Sequence, residues 1–258
     1  MKILIVGDIY SKLGRKAFAS GLAKIKAKET INFLIVNGEN ITHGKGMNEK
    51  HYKWLLEQGV NVVTLGNHAF NNKEIFNYIN EAKNIVRPAN METEYGVGYV
   101  TKKYNDLTIT VIQVLGQVFM PGNNTKNPFL VVDEILENVK SDIYICDFHG
   151  EATSEAVAFG HYFTGKIDII FGTHTHVQTN DATILNGKTA YITDVGMTGA
   201  LESVIGVQKD IIISRFLGKE TLKFEPENEG KTQFSAILVE YDEQLKKVSK
   251  IETIRIIE

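Results

Sequence analysis

The chain has 258 residues, of which 43% are hydrophobic and 23% are charged, as is usual in globular proteins. This composition excludes disordered, collagen-like and low-complexity classes, and no apolar run approaches the ~18 residues that a membrane span needs. The chain has 28 Lys and Arg residues against 31 Asp and Glu residues, which gives a formal charge of -3. That balance argues against a non-specific DNA-binding protein but allows a small phosphate ester or a local RNA site.

The first residues and the cysteine content bear on the compartment. The apolar stretch Ile3–Val6 is too short for the core of a signal peptide, and Asp8 follows at once. We therefore expect a cytoplasmic protein that does not associate with a membrane. The single cysteine, Cys146, excludes an intrachain disulfide and a multi-cysteine zinc site, and its apolar neighbours predict a buried, inert thiol.

Short apolar runs predict strands along the whole chain. In chain order, the predicted strands are Lys2–Val6, Phe33–Val36, Val60–Leu65, Thr108–Leu115, Ile143–Phe148, Ile167–Phe171, Ala190–Thr193, Ala236–Tyr241 and Ile251–Ile257. The strands of the first third show little alternation, which is expected when both faces of a sheet are covered. Helices are predicted to begin after Gly14, at Asn48, at Asn71 or Asn72, at Pro128, and at Thr153 or Ser154.

The order of these elements indicates the fold class. The first third alternates strand and helix, whereas the last third is mostly strands and turns. We infer an α/β fold with a large central β assembly that is parallel in part. We expect a single domain over residues 1–258, with a loop or hairpin excursion at about residues 199–231.

Five of the predicted strands are each followed by a small residue next to a potential metal ligand. The blocks are Gly7-Asp8, Asn37-Gly38-Glu39-Asn40, Gly66-Asn67-His68, His149-Gly150 and Gly172-Thr173-His174-Thr175-His176. Ligands of open α/β sheets bind at the carboxyl ends of the strands. We therefore expect these side chains to meet at one rim.

The chemistry of this set favours a metal centre with two ions. The candidate ligands combine carboxylate, amide and imidazole donors, and they are Asp8, Glu39, Asn40, Asn67, His149, His174 and His176. Such a thiolate-free set suits two first-row ions better than one structural zinc. Two cations about 4 Å apart need a shared anion, and Glu39 is favoured over Asp8 because its arm is longer and it lies in the middle of the set.

Each block alone has an ordinary explanation. A Gly-Asp pair after a strand is usually a turn or a helix cap, and two histidines in a loop can simply be exposed. The combination is harder to dismiss, because four of the seven histidines directly follow apolar runs. The other three are interpreted as surface or local packing, although His43 lies in a segment, Thr42–Gly46, that could form a lid over the same rim.

In this order the five blocks resemble the signature of the calcineurin-like metallophosphoesterases, over Met1 to about Thr198. Within that superfamily the chain is most similar to the YmdB-like bacterial phosphodiesterases. The supporting segments are Gly7–Tyr10, Asn37–Asn40, Asn67–Phe70, Asp147–Glu155 and Thr193–Gly199. Most superfamily members have His where this chain has Tyr10 and Asp where it has Glu39, and both departures are shared by the YmdB-like branch.

The resemblance implies a fold, a cofactor and partners. The implied fold is a two-sheet β-sandwich flanked by helices, and the implied cofactor is a pair of iron or manganese ions, with zinc or magnesium as alternatives. By position, metal one would take Asp8, Glu39, Asn40 and His176, and metal two would take Glu39, Asn67, His149 and His174. Without a histidine at Tyr10, metal one is expected to be the weaker site. RNA-metabolism partners are also implied, and a homo-oligomer is left open.

The expected reaction is the hydrolysis of 2′,3′-cyclic and also 3′,5′-cyclic nucleotides by a hydroxide that bridges the two ions. His68 is tethered beside the ligand Asn67, and we assign it as general acid to the leaving oxygen or as a stabiliser of a phosphate oxygen. Two alternatives stay open. One is a phosphomonoesterase or protein phosphatase, which ranks lower because no strand-end block contains Arg. The other is a non-catalytic protein that binds a nucleotide or contacts RNA machinery.

Overall fold

The computed structural model describes residues 1–120, 125–219 and 223–258. Its strands are β1 (Lys2–Val6), β2 (Asp8–Ile9), β3 (Phe33–Asn37), β4 (Val62–Thr64), β5 (Ile85–Val86), β6 (Tyr99–Tyr104), β7 (Leu107–Leu115), β8 (Ile143–His149), β9 (Ile169–Thr173), β10 (Thr183–Leu185), β11 (Thr189–Ile192), β12 (Met197–Ala200), β13 (Ser203–Val204), β14 (Val207–Gln208), β15 (Thr232–Asp242) and β16 (Lys247–Ile257). Its helices are α1 (Ser11–Lys26), α2 (Glu49–Glu57), α3 (Pro128–Asn138), α4 (Thr153–Tyr162) and α5 (Lys209–Phe216), with a 3₁₀ helix at Lys73–Asn77. Of the helices in these ranges, none is both long enough and apolar enough to cross a membrane.

Two large sheets are built from these strands. In the described ranges the first sheet has the order β2-β12-β15-β1-β3-β4-β5, with β16 also paired to β15, and the second has the order β10-β11-β9-β8-β7-β6. Strands β1, β3 and β4 run parallel in the first sheet, and β7, β8 and β9 run parallel in the second. The strands that precede the candidate ligands therefore end at a common edge of each sheet.

Strand β1 shows how the layers are packed. Ile3 and Ile5 lie in the core between the two sheets, whereas Leu4 and Val6 belong to the core that includes Phe18 of α1. Both faces of the strand are thus buried, which explains an apolar run without alternation. The first sheet is covered by helix on its outer face and by the second sheet on its inner face.

The second sheet is covered in the same way by α3 and α4. Cys146 and Phe148 of β8 pack with Val132 of α3 and Phe159 of α4. The helix–sheet–sheet–helix layering confirms the predicted two-sheet sandwich flanked by helices. Cys146 is buried and free, and burial raises the pKa of its thiol well above the usual range, which confirms the prediction of a buried cysteine.

Two helices differ from their predictions. Helix α1 begins at Ser11 and contains Gly14, although the sequence placed its start after this glycine. A Cβ at Gly14 would lie 2.5 Å from the carbonyl oxygen of Thr198, so glycine allows the helix to lie directly against β12. The helix expected near Asn71 or Asn72 is only the short 3₁₀ helix, which Asn72 caps by accepting from the backbone N–H of Glu74.

The segment predicted as an excursion, residues 199–231, contains a short hairpin and a helix. Strands β13 and β14 pair antiparallel, and α5 follows. Residues 220–222 of the segment lie outside the described residues. Val207, Ile211 and Ile212 pack with Tyr10, so the segment lies beside the start of α1. The single-domain organisation over residues 1–258 stays a prediction.

Candidate metal centre and active site

The seven candidate ligands lie together at one edge of the two sheets. Their polar side-chain atoms are linked to one another by contacts of 3.7 Å or less. Each comes from the carboxyl end of a strand or from the segment after it, and they are Asp8 of β2, Glu39 and Asn40 after β3, Asn67 after β4, His149 at the end of β8, and His174 and His176 after β9. The two sheets thus contribute ligands to one cluster.

Three of these side chains place possible metal-binding atoms close to one another. Glu39, His149 and His174 each offer one atom, and the three atoms lie within 4.8 Å of one another. Nε2 of His149 lies 3.3 Å from Oε1 of Glu39, 3.1 Å from Nδ1 of His174 and 2.9 Å from Oδ1 of Asn67. A hydrogen on Nε2 can serve only one of these acceptors, whereas a cation attracts all of them. This cluster could therefore hold a metal ion.

A second group, formed by Asp8, Asn40 and His176, also contacts Glu39. Nδ2 of Asn40 lies 3.2 Å from Oε1 of Glu39, 3.2 Å from Nε2 of His176 and 3.5 Å from Oδ1 of Asp8. Nε2 of His176 lies 3.7 Å from Oδ1 of Asp8. The Glu39 carboxylate joins the two groups, because Oε1 contacts both. Coordination by Asn40 would use Oδ1, which requires its amide to be turned round.

Glycine at position 66 makes room for this cluster. A Cβ built on Gly66 would lie 2.3 Å from Oε2 of Glu39 and 2.5 Å from Nε2 of His149. Any larger residue would push these two side chains apart, so the Gly66-Asn67 pair does more than form a turn. The backbone approaches the cluster as closely as glycine allows.

A buried chain of hydrogen bonds fixes the tautomer of His149. Oγ1 of Thr173 lies 2.8 Å from Nδ1 of His149 and donates to Oδ1 of Asp147 at 2.7 Å. Because the hydroxyl hydrogen is used towards Asp147, Oγ1 accepts the hydrogen on Nδ1. Nε2 is therefore the atom that His149 presents to the cluster. Burial raises the pKa of Asp147 to about 6.

Acceptors outside the cluster fix the other two histidines. Nε2 of His174 lies 3.2 Å from Oε2 of Glu151, and Nδ1 of His176 lies 3.0 Å from the carbonyl oxygen of Ile205. Carboxylate and carbonyl oxygens only accept hydrogen bonds, so both imidazole nitrogens are donors. His174 thus presents Nδ1 to the cluster, and His176 presents Nε2.

The backbone that carries these two histidines is strained and is held by Asp194. His174 and His176 have φ values of 108° and 64°, in a region that residues other than glycine rarely adopt. Oδ2 of Asp194 accepts from the backbone N–H of Thr175 at 2.9 Å and from its Oγ1 at 2.8 Å, and Oδ1 accepts from the backbone N–H of Gly196 at 2.6 Å. Asp194 therefore fixes the residue that lies between the two candidate ligands.

The charges of the cluster are set by burial and by its own members. Burial opposes ionisation of Glu39, but the charges and hydrogen bonds of His149 and His68 together outweigh burial and lower the pKa of the carboxyl. Burial also opposes a charge on His149, but Glu39, Asp8 and Asp147 together outweigh burial and raise the pKa of His149 to about 9. Burial lowers the pKa of His174 to about 3. Glu39 and His174 are thus in the states that bind metal, while His149 must release a proton when a metal binds.

His68 lies at the margin of the cluster. Its backbone N–H donates to Oε2 of Glu39 at 2.9 Å, and its Nδ1 lies 2.9 Å from Nδ2 of Asn71. The amide nitrogen of Asn71 donates, so the neutral imidazole carries its hydrogen on Nε2. Burial lowers the pKa of His68, which favours that neutral form.

A cavity of about 320 Å³ opens over the cluster. His68, Glu39 and His174 form part of its wall, and Gly44 and Lys45 of the segment predicted as a lid form another part. The remaining wall includes side chains of the 199–231 segment, namely Ile205, Val207 and Phe224. The cavity therefore gives a ligand access to both groups of candidate metal ligands.

Sequence reasoning missed the groups that orient the histidines. Thr173 and Glu151 lie next to or near a candidate ligand in the sequence, and this proximity was their signal. Asp194 is distant from every candidate ligand along the chain, and its signal was its place in the segment Thr193–Gly199. The carbonyl oxygen of Ile205 gave no signal, because every residue has one. Their contacts appear only when the chain is folded.

The two-sheet sandwich carries a buried cluster of carboxylate, amide and imidazole groups at its strand ends, and this cluster could hold metal ions. The putative 5′-nucleotidase of Staphylococcus aureus has the same fold, with a TM-score of 0.60 at 15% identity over 100% of this chain and 54% of that chain. Residues 4–254 match the family described as YmdB-like protein, and the chain belongs to this family.

Relatives with higher identity cover nearly the whole chain. The chain is 44% identical to the 2′,3′-cyclic-nucleotide 2′-phosphodiesterase of Bacillus subtilis (strain 168), over 99% of this chain and 97% of the relative. It is 40% identical to a putative phosphatase/phosphodiesterase of Mycoplasma pneumoniae, over 100% and 94%. The crystal structure of a novel phosphatase from Mycoplasma pneumoniae matches with a TM-score of 0.95 at 39% identity, over 100% of this chain and 93% of that chain.

Proposed function

We propose that this protein is a metal-dependent phosphodiesterase that hydrolyses 2′,3′-cyclic nucleotides and, in addition, 3′,5′-cyclic nucleotides. The observation that carries the proposal is the converging set of Glu39, His149 and His174, of which Glu39 and His174 line an open cavity. The name and the 44% identity of the Bacillus subtilis relative support the choice of a 2′,3′-cyclic substrate. Family membership supports the reaction class.

We infer two metal ions, iron or manganese, with zinc or magnesium as alternatives. Asp8, Glu39, Asn40 and His176 would hold the first, and Glu39, Asn67, His149 and His174 the second. The two groups of side chains that share Glu39 support this assignment, because a pair of cations needs a common anion. When bound, the metal ions would stabilise charge on the phosphoryl oxygens and lower the pKa of the attacking water.

The first metal site is inferred to be the weaker one. Tyr10 packs its ring edge-on against His176, with 5.7 Å between ring centroids, and burial raises the pKa of Tyr10 to about 12. A neutral phenol therefore stands near this site instead of a further imidazole. The first ion would have one nitrogen ligand, from His176, whereas the second would have two, from His149 and His174.

His68 is inferred to act on the reacting phosphate without binding metal. Its Nε2 hydrogen is free for an oxygen of the substrate, because Asn71 occupies Nδ1. In the hydrolysis of a 2′,3′-cyclic phosphate, the water oxygen bonds to phosphorus and the bond from phosphorus to O2′ breaks. O2′ takes a proton, and a 3′-phosphate remains. The neutral imidazole would stabilise a phosphoryl oxygen by donating a hydrogen bond from Nε2. The imidazolium, formed with the Asn71 amide turned round so that its oxygen accepts from Nδ1, would serve as general acid and give the Nε2 proton to O2′.

The test is a substrate profile of metal-replete protein with 2′,3′-cAMP, 3′,5′-cAMP and p-nitrophenyl phosphate. We expect kcat/KM for 2′,3′-cAMP to exceed that for p-nitrophenyl phosphate by about tenfold or more. A preference for p-nitrophenyl phosphate would favour the phosphatase alternative, which the name of the Mycoplasma pneumoniae relative also allows. Tight binding of cyclic nucleotide without turnover would favour a non-catalytic protein. RNA-metabolism partners, a homo-oligomer and a cytoplasmic location stay predictions.

A further inference from the structure

A second, larger cavity opens beside the one over the metal ligands. This cleft has a volume of about 650 Å³, and Tyr10, Lys45 and Phe224 line both cavities. A molecule whose end occupies the site over the metal ligands can therefore extend into the cleft without leaving the protein surface. The cleft has about twice the volume of the smaller cavity, which is about 320 Å³.

The wall of the cleft is positively charged. Its cations are Lys45, Lys73, Arg215 and Lys223, and among the described residues no carboxylate lines it. All four side chains are exposed, and none of them belongs to an ion pair in the part of the chain that the structure describes. A chain with a formal charge of -3 thus concentrates four exposed cations beside its candidate active site. This distribution favours a ligand with several negative charges.

An aromatic ring accompanies these charges. The guanidinium of Arg215 lies 5.0 Å from the centroid of the Phe224 ring, and Phe224 is 36% exposed. Cations along a groove combined with an exposed aromatic ring are typical of sites that bind single-stranded nucleic acid, where phosphates contact the cations and bases stack on the ring. A phosphopeptide would use the cations but would leave the ring without a partner of matching shape.

We propose that this cleft binds the nucleotides that precede a terminal 2′,3′-cyclic phosphate, so that the enzyme acts on the 3′ ends of single-stranded RNA. The inference rests on the proposed function, because the cyclic phosphate must occupy the site over the metal ligands. Only RNA has the 2′-hydroxyl from which such an end is made. The 5′-phosphate of the terminal nucleotide leads to the preceding residues, whose phosphates contact Lys45, Lys73, Arg215 and Lys223. Hydrolysis breaks the bond from phosphorus to O2′, adds the water oxygen to phosphorus and leaves RNA with a 3′-phosphate and a free 2′-hydroxyl.

The test compares 2′,3′-cAMP with a pentaribonucleotide that ends in a 2′,3′-cyclic phosphate. The variant is Lys73→Glu with Arg215→Glu, because both residues line the cleft and neither lines the cavity over the metal ligands. For the wild type, we expect kcat/KM to be higher for the pentamer than for the mononucleotide at low salt. In the variant, the ratio of the two kcat/KM values should fall about tenfold or more, since contacts to phosphate dominate such binding.

The control is Lys28→Glu with Lys140→Glu, which makes the same change in net charge at exposed positions outside the cleft. This control should keep the wild-type ratio. A wild-type ratio of one, or an equal loss of ratio in the control, would overturn the inference. Fluorescence anisotropy of a labelled pentamer that ends in a 3′-phosphate measures binding to the cleft in the absence of turnover. If 2′,3′-cAMP is not hydrolysed, the proposed function is wrong. If the cleft variant binds the pentamer as tightly as the wild type does, only the proposed role of the cleft is refuted.

Discussion

Nδ1 of His176 donates a hydrogen bond to the backbone carbonyl oxygen of Ile205, 29 residues further along the chain, at 3.0 Å. This contact leaves Nε2 as the only nitrogen that His176 can offer to Asp8 and Asn40. The hairpin of β13 and β14, which holds Ile205, therefore orients a candidate metal ligand that belongs to another part of the fold. A backbone change in the hairpin should therefore alter the affinity of the candidate centre for metal.

Replacing Gly206 with alanine tests this coupling. Gly206 has a φ of +89°, and a Cβ there would lie 2.3 Å from Cδ1 of Tyr10. The hairpin must shift, so His176 loses its fixed orientation. Titration calorimetry of apo-protein with Mn²⁺ should show two unequal affinities in the wild type, and in Gly206→Ala the weaker one should fall by about 10–100-fold. Gly230→Ala is the control, because its φ is +95° and no atom of the described residues lies within 4 Å of the added Cβ. Equal titrations of the two variants would contradict the coupling.

The Thr173 hydroxyl should matter for metal binding although it is not a candidate ligand. It connects Nδ1 of His149 with Asp147, and Thr173→Val removes this connection with almost no change in volume. We expect metal affinity or turnover to fall by about 10–100-fold. Thr173→Ser keeps the hydroxyl and should stay within a few-fold of the wild type. A valine variant as active and as well loaded as the serine variant would refute this role.

His68→Ala should separate catalysis from metal binding. The side chain of His68 borders the cavity but does not belong to the converging acceptors, so the variant should keep the metal content of the wild type. Turnover of 2′,3′-cAMP at saturation should fall by about 10²–10⁴-fold, the usual contribution of a positioned acid. His161→Ala, at an exposed position of α4, is the matched control and should be unaffected. Unchanged kcat would remove His68 from the mechanism.

Asp168 should make the folded state less stable as pH rises. Burial raises the pKa of Asp168 to about 6, although its Oδ2 accepts from the backbone N–H of Tyr144 at 2.9 Å. Between about pH 4 and 6 the folded protein keeps a proton that the unfolded chain has released, so this group's contribution to stability is lost as pH rises through that window. The free energy of unfolding of Asp168→Asn relative to the wild type should therefore increase by about 2–3 kcal/mol from pH 4 to pH 7.

Urea denaturation at pH 4, 5, 6 and 7 measures this change. Asp106→Asn, at an exposed carboxyl, is the control, and its profile should run parallel to that of the wild type. A parallel profile for Asp168→Asn as well would show that burial does not alter the titration of Asp168.

The sequence was most informative where parallel strands end. A buried strand such as β3 appears as an apolar run, and the polar residues Glu39 and Asn40 directly after it are placed at the sheet edge by the geometry of parallel strands. The same reasoning placed His149 at the end of β8 and His174 directly after β9. Two sheets meeting at one edge explains why ligands from both halves of the chain share a cluster.

Other features have no local signal. Strands β2, β5, β13 and β14 contain two residues each, which is too short for any period to show. Gly14 suggested a helix boundary, but its role is close contact with the Thr198 carbonyl, which depends on tertiary packing. The orienting contacts of His176 and His149 likewise join distant residues, so spacing along the chain does not reveal them.

The central claim is that Glu39 joins two groups of ligands that hold two metal ions for phosphodiester hydrolysis. Elemental analysis of freshly purified wild type and Glu39→Gln, combined with 2′,3′-cAMP hydrolysis on the same samples, tests it most directly. Glutamine keeps the shape of the side chain and removes the anion. We predict two metal ions per chain and turnover for the wild type, and at most one ion and loss of turnover for Glu39→Gln. Two ions per chain and wild-type turnover in Glu39→Gln would contradict the account.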